Sequence, residues 1–141
     1  EVASMGIFGF LARLSNTFFI DNSNKNMVFQ YNKFIREKFS ENSISLLDIY
    51  MCFDHPDNAS INRKPGGGMF FKAKREYNLQ LSKCLMVGDS ISDMEAGKNL
   101  GMETMLVLTG EGQKTLKNFR HKKSISYFAD NIYEGFKQLC Q

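Results

Sequence analysis

A chain of 141 residues, 43% hydrophobic and 23% charged, is long enough for one packed core and too balanced in composition for a disordered or fibrous class. Its net charge of +3 is mild, and its longest unbroken apolar run, Ile49-Tyr50-Met51-Cys52-Phe53, falls far short of the ~20 residues of a membrane span. Neither a nucleic acid nor a membrane is therefore expected as a partner. Cys52, Cys84 and Cys140 are odd in number and far apart, and no secretory pattern opens the chain, so a cytoplasmic setting is the expectation.

Residues 10–14 have the character of a buried strand, and Ser15-Asn16-Thr17 follows with the short polar side chains of a loop or a helix cap. After a polar loop over 21–26, Met27, Val28, Tyr31, Phe34, Ile35 and Phe39 recur mostly at three- and four-residue intervals. That spacing predicts a helix ending near Ser40. The Ile-, Leu- and Tyr-rich stretch beyond it predicts a strand over 48–51, then a polar loop over 52–62. Pro65 suits a helix's first turn, and Met69, Phe70, Ala73 and Tyr77 give that helix an apolar face.

Residues 84–87 predict a short buried strand, 93–100 a helix closed by Gly101, and 102–108 another strand ending at Thr109-Gly110-Glu111-Gly112. Residues 113–123 are amphipathic at best, and Arg120-His121-Lys122-Lys123 is expected to be a solvated turn. Ser126-Tyr127-Phe128 suits an edge strand, and Asp130 is placed to cap a last helix with Ile132, Phe136 and Leu139 inward. Strand and helix alternate throughout. The fold class that follows is α/β, a three-layer sandwich with helices on both faces of a mostly parallel sheet, in one domain over 1–141.

In such a sheet ligands bind beyond the carboxyl ends of the strands, where Ser15-Asn16, Arg63-Lys64 and Gly88-Asp89 all fall. Asp89 follows a glycine that permits a sharp turn, and Asp93 lies four residues on, about one helical turn away. Hard carboxylate oxygens suit Mg²⁺, with Asp89 the better ligand and Asp93 its support. Each part has a plainer explanation: an aspartate that caps a helix, or an exposed basic pair. The glycines at 66–68 lead into a helix whose backbone N–H groups could meet an anion, but no Gly-Lys-Ser/Thr follows.

The order of these parts resembles the second, third and fourth motifs of the haloacid dehalogenase superfamily of phosphatases. Within it the resemblance is to the branch of heptose-bisphosphate and histidinol-phosphate phosphatases. It rests on Leu14-Ser15-Asn16, on Ile49-Tyr50-Met51-Cys52 with His55-Pro56, on Arg63-Lys64-Pro65-Gly66 with Gly68-Met69, and on the run Met86-Val87-Gly88-Asp89-Ser90-Ile91-Ser92-Asp93-Met94-Glu95-Ala96-Gly97. It implies a Rossmann-like core without a large cap domain, Mg²⁺ as cofactor and a small phosphorylated metabolite, a sugar phosphate, as substrate. Ser15 would hydrogen-bond the transferring phosphoryl group and Lys64 neutralise it. Asn16 and Arg63 would contact the substrate, Asp89 bind the metal and Asp93 orient it. Such roles are positioning and charge neutralisation, which phosphoryl transfer demands most of a protein.

Two departures from the family stand out. No Asp-x-Asp occurs in the 141 residues, so the family's nucleophile and general acid have no occupant, and the domain is expected to be incomplete at its amino end. Phe18-Phe19-Ile20-Asp21-Asn22-Ser23 is only superficially like that first motif, and accepting it would leave no second one. The zinc loop found in members of the branch is represented here by Cys52, Asp54 and His55, then by Ser60 and Asn62 where a second cysteine pair should stand. That set predicts no structural zinc. The expected function is a Mg²⁺-dependent sugar-phosphate phosphatase whose 141 residues alone are inactive. The alternative is a relative of the same fold that binds a phosphate ligand or partner without turnover; a nucleic-acid end phosphatase is disfavoured by the lack of a basic stripe.

Overall fold

The computed structural model describes residues 25–140. The chain divides into two compact units, Glu1–Phe53 and Asp54–Gln141. The predicted strand over 10–14, with Ser15 and Asn16, lies outside the described residues. Among the described residues no helix is long and apolar enough to cross a membrane.

In the first unit α1 spans Lys25–Glu41, closing at Ser43, whose φ of 56° turns the chain while its N–H donates to the Ser40 carbonyl at 2.9 Å. The strand predicted over 48–51 does not form, and residues 44–55 run without regular structure. Asp48 is the local reason. Its carboxylate accepts from its neighbour's Ile49 N–H at 2.8 Å and pairs with Arg36 on α1 at 2.7 Å, a side-chain alternative to the backbone ladder.

The second unit is built on a parallel sheet in the order β1 (Leu85–Gly88), β2 (Glu103–Val107), β3 (Tyr127–Ala129), with Met86 opposite Thr104 and Leu106 opposite Phe128. Alternation along β2 divides the core. Leu106 packs with Met94, Phe119 and Ile125 on one face, while Met105 and Val107 pack with Ala129 on the other. The three-layer α/β arrangement is as the sequence predicts, and β3 is the edge strand anticipated near 126–128.

Helix α2 (Gly68–Tyr77) begins three residues after Pro65, so the proline is not in its first turn, and Tyr77 is exposed. The Lys64–Pro65 peptide is cis. Helix α3 (Ile91–Asn99) ends as expected: Gly101, with φ of 67°, donates to Lys98, and Met102 donates to Gly97 at 2.9 Å. Gly97 lets this helix approach the sheet closely, because a Cβ there would strike Thr104 Cγ2 and meet Met86 Cβ at 3.0 Å. Gly97→Ala is therefore expected to cost about 1–3 kcal/mol through overpacking, seen as a lower urea midpoint with an unchanged slope.

Where the sequence offered only weak amphipathicity, α4 (Gly112–Asn118) forms, followed by a short 3₁₀ turn over Lys122–Ser124. The last helix, α5 (Ile132–Leu139), is capped by Asn131 rather than Asp130, its side chain accepting from Glu134 N–H at 3.0 Å. Phe136 and Leu139 do not point inward; Phe136 is 47% exposed. Gly135 makes the close contact, against Met105 Sδ and Ala129 Cβ, so the buried stripe of α5 runs through Ile132 and Gly135 and the next stripe faces out.

Candidate active site

The site grows from the turn after β1. Gly88 has no room for a side chain, because the Asp93 carboxylate lies against it. Ser90 then caps α3, accepting from Asp93 N–H at 3.2 Å, while the Asp93 carboxylate takes Ser90 N–H at 3.2 Å and Ser90 Oγ at 2.6 Å. This reciprocal capping box fixes the Asp93 side chain. Its other oxygen pairs with Lys64 Nζ, twenty-nine residues away in sequence. Asp93 is thus buried, with a side chain only 6% exposed, and its charge is met from two sides.

Lys64 stands on a tight loop whose bonds are nearly all internal. Gly66 N–H donates to Arg63 O at 2.8 Å and Gly68 N–H to Ile61 O at 2.9 Å, so two of the three glycine amides proposed as anion donors are already used. The glycines serve close packing instead: a Cβ at Gly66 would strike Ile61 O, and one at Gly68 would strike Asn62 Oδ1. Arg63 donates from Nη1 to Asp54 O at 2.5 Å and so braces the preceding loop. In that loop Asp54 accepts from Ser60 N–H at 2.8 Å, and His55 Nδ1 accepts from Asp57 N–H at 3.3 Å.

Asp89 precedes the Ser90 cap, so it lies outside α3 and does not share a helix face with Asp93 as the four-residue spacing suggested. It is held from the β2 side. Its Oδ2 accepts from Glu111 N–H at 3.0 Å and its backbone carbonyl from Thr115 Oγ1 on α4 at 2.7 Å. Gly110, with φ of 56°, makes room: a Cβ there would fall on the Asp89 carboxylate. Gly110, Glu111 and Thr115 are the functional neighbours that sequence reasoning missed. The glycine pair in Thr109-Gly110-Glu111-Gly112 was the available signal, since a glycine after a strand often marks a left-handed turn.

Thr115 is 2% exposed, and Thr115→Val would leave the Asp89 carbonyl short of its donor. The expected loss is about 1–2 kcal/mol in a urea melt, with the backbone of 88–91 broadened in NMR spectra.

Among the described residues no group of three or more His, Cys, Asp or Glu could hold a metal ion between them. The donor chemistry still fits a hard divalent cation of the kind that keeps most of its water. Asp89 offers a carboxylate held through one oxygen, whereas both oxygens of Asp93 are engaged by Ser90 and Lys64. Lys64, Asp89 and Asp93 are thus gathered around the β1–α3 turn, with Arg63 on the adjoining loop.

A parallel sheet with an aspartate-bearing turn beyond its first strand, and a lysine locked onto that turn, defines a Rossmann-like α/β domain with polar residues at the carboxyl end of its sheet. The profile of the HAD-hydrolase-like family matches residues 61–135, and the chain belongs to that family. It is 28% identical over 118 residues to the D-glycero-D-manno-heptose-1,7-bisphosphate 7-phosphatase of Thermosynechococcus vestitus, across 75% of this chain and 60% of that protein. It is 35% identical over 92 residues to the D-glycero-alpha-D-manno-heptose-1,7-bisphosphate 7-phosphatase of Campylobacter jejuni, across 65% of this chain and 52% of that protein. The crystal structure of the D,D-heptose 1,7-bisphosphate phosphatase from B. bronchiseptica complexed with magnesium and phosphate superposes with a TM-score of 0.69 at 29% identity, covering 77% of this chain and 63% of that one. The chain therefore spans somewhat over half the length of these relatives.

Proposed function

We propose that this chain supplies the phosphate-binding and metal-holding part of a Mg²⁺-dependent phosphatase acting on a small sugar phosphate, of the heptose-bisphosphate kind. The observation that carries the reading is the Lys64–Asp93–Ser90 lock beside Asp89, at the carboxyl end of β1. It presents a cation for a phosphoryl group next to a carboxylate for a metal. Mg²⁺, when bound, supplies charge neutralisation for the phosphate oxygens. Lys64 then orients and neutralises the ester, and Arg63 contacts the sugar phosphate. The relatives' names support the substrate class, and the three free thiols are consistent with a cytoplasmic setting.

Hydrolysis through a phospho-aspartate needs an Asp-x-Asp pair, which these 141 residues lack. The test is titration with a heptose 1,7-bisphosphate and Mg²⁺, followed by an assay for released phosphate. The chain alone is expected to bind the ester without releasing phosphate, and the polypeptide made from the whole gene to release it. Failure of the ester to bind would overturn the assignment. A second reading, a non-catalytic ligand-binding relative, is favoured by the missing pair and by Ser60 and Asn62 standing where zinc-binding cysteines would be; binding without turnover by the whole gene product would select it.

A further inference from the structure

The candidate site occupies the carboxyl end of β1 and β2, and the opposite end of the sheet carries a different concentration of charge. There the end of α3 and the segment from α4 to β3 bring Lys98, Lys117, Arg120, His121, Lys122 and Lys123 around one open groove of 770 Å³. No aspartate or glutamate lines it. Among the described residues none of these six side chains takes part in an ion pair, whereas Lys33, Lys38, Lys72, Lys114 and Lys137 each face a glutamate three or four residues along. Five lysines and arginines, more than the whole chain's net charge of +3, thus line one groove with no acidic residue among them.

The backbone that presents them is anchored at both ends. Phe119 and Ile125, 3% and 7% exposed, are buried in the same core cluster with Met94 and Leu106. Between them the turn is closed by Ser124 N–H to His121 O at 2.8 Å, Ser124 Oγ to the same oxygen at 2.7 Å, and Ile125 N–H to Lys122 O at 3.1 Å. The His121 ring stands edge-on to Phe119 with centroids 6.0 Å apart. Packing like charges on a fixed turn raises the free energy of the folded chain, and a multivalent anion would relieve it. Arginine grips phosphate oxygens with paired N–H groups, and the lysines add point charges.

We propose that this groove binds a small, multiply phosphorylated anion at a site separate from the phosphoryl-transfer site. Its volume lies within the ~300–1,000 Å³ of small-molecule pockets. A nucleic acid would call for a longer basic surface and exposed aromatic faces to stack on, and Phe119 is buried. The proposal stands on the groove alone and does not depend on the hydrolase reading.

The test uses the whole chain with inorganic tripolyphosphate as probe, in low salt without divalent metal, followed by calorimetry and by amide chemical shifts. Saturable binding with shifts over 117–125 is expected, told apart by position from any shifts at the β1–α3 turn. The triple variant R120Q/K122Q/K123Q should lose those shifts and bind there at least about tenfold more weakly, and Lys33→Gln, an exposed lysine on α1, should bind within about twofold of the parent. The idea is overturned if the shifts centre on Lys64 and Asp93, if the triple variant binds as tightly as the parent, or if no saturable binding appears. Tighter binding of a single-stranded oligonucleotide than of tripolyphosphate would also overturn it, in favour of a nucleic-acid surface.

Discussion

Lys64→Ala is expected to abolish measurable phosphate-ester binding and to destabilise the second unit at the same time. The two effects share one cause. Asp93 is almost wholly buried, and Lys64 is the cation that meets its charge. Removing one member of such a pair strands the other, at about 3–5 kcal/mol when both are deep. Here the cost should be smaller, about 1–3 kcal/mol, because Lys64 is 38% exposed and Asp93 keeps both of its bonds from Ser90. Binding should suffer more than stability, since no other lysine is locked onto the β1–α3 turn among the described residues. Calorimetry with a sugar phosphate and a urea melt give both quantities. Lys64→Arg restores charge without the point-like ammonium, and should recover stability better than binding. If Lys64→Ala bound the ester as tightly as the parent, Lys64 would be a structural partner of Asp93 and nothing more.

How much of this was legible beforehand follows from the range of the interactions involved. The β1-turn-α3 segment was read closely, with α3 beginning at Ile91 rather than at 93, because strand, glycine and C-terminal glycine each act over fewer than five positions. The strand over 48–51 was misread because its β-forming composition is overridden by Asp48, whose bond to Arg36 joins residues twelve apart. The outward turn of Phe136 has the same origin. A helix's buried stripe is set by whichever residue can come closest to the sheet, and Gly135 carries no weight in a count of apolar side chains. Lys64 and Asp89 were visible as residue types, but that Lys64 pairs with Asp93 is tertiary information. Thr115 gave no sign at all. A threonine within a weakly patterned helix looks like any other until its hydroxyl is seen on the Asp89 carbonyl.

Gly110→Ala is the substitution that separates the proposed metal-holding role of Asp89 from the phosphate-binding role proposed for Lys64. Gly110 adopts φ of 56°, a left-handed conformation that costs an L-residue with a side chain about 1 kcal/mol. The added methyl group would also fall on the carboxylate of Asp89. Something must give, and the choices are unequal. The Gly110–Glu111 turn is tied to Asp89 through Glu111 N–H, and Gly112 beyond it is buried against Val107 O, where a side chain has no room. The Asp89 carboxylate, held through one oxygen by Glu111 N–H, should therefore be the part that moves. Total destabilisation of about 2–3 kcal/mol is expected, with Mg²⁺ affinity lowered roughly tenfold to a hundredfold, the range found for residues that orient a ligand. Manganese binding followed by electron paramagnetic resonance measures this without any turnover. Lys64 is held by Asp93 and not by Asp89, so phosphate-ester binding in the absence of metal should fall much less than in Lys64→Ala. Equal loss of metal and ester in Gly110→Ala would mean that the turn collapses as a whole. An unchanged metal affinity would mean that Asp89 is not the ligand.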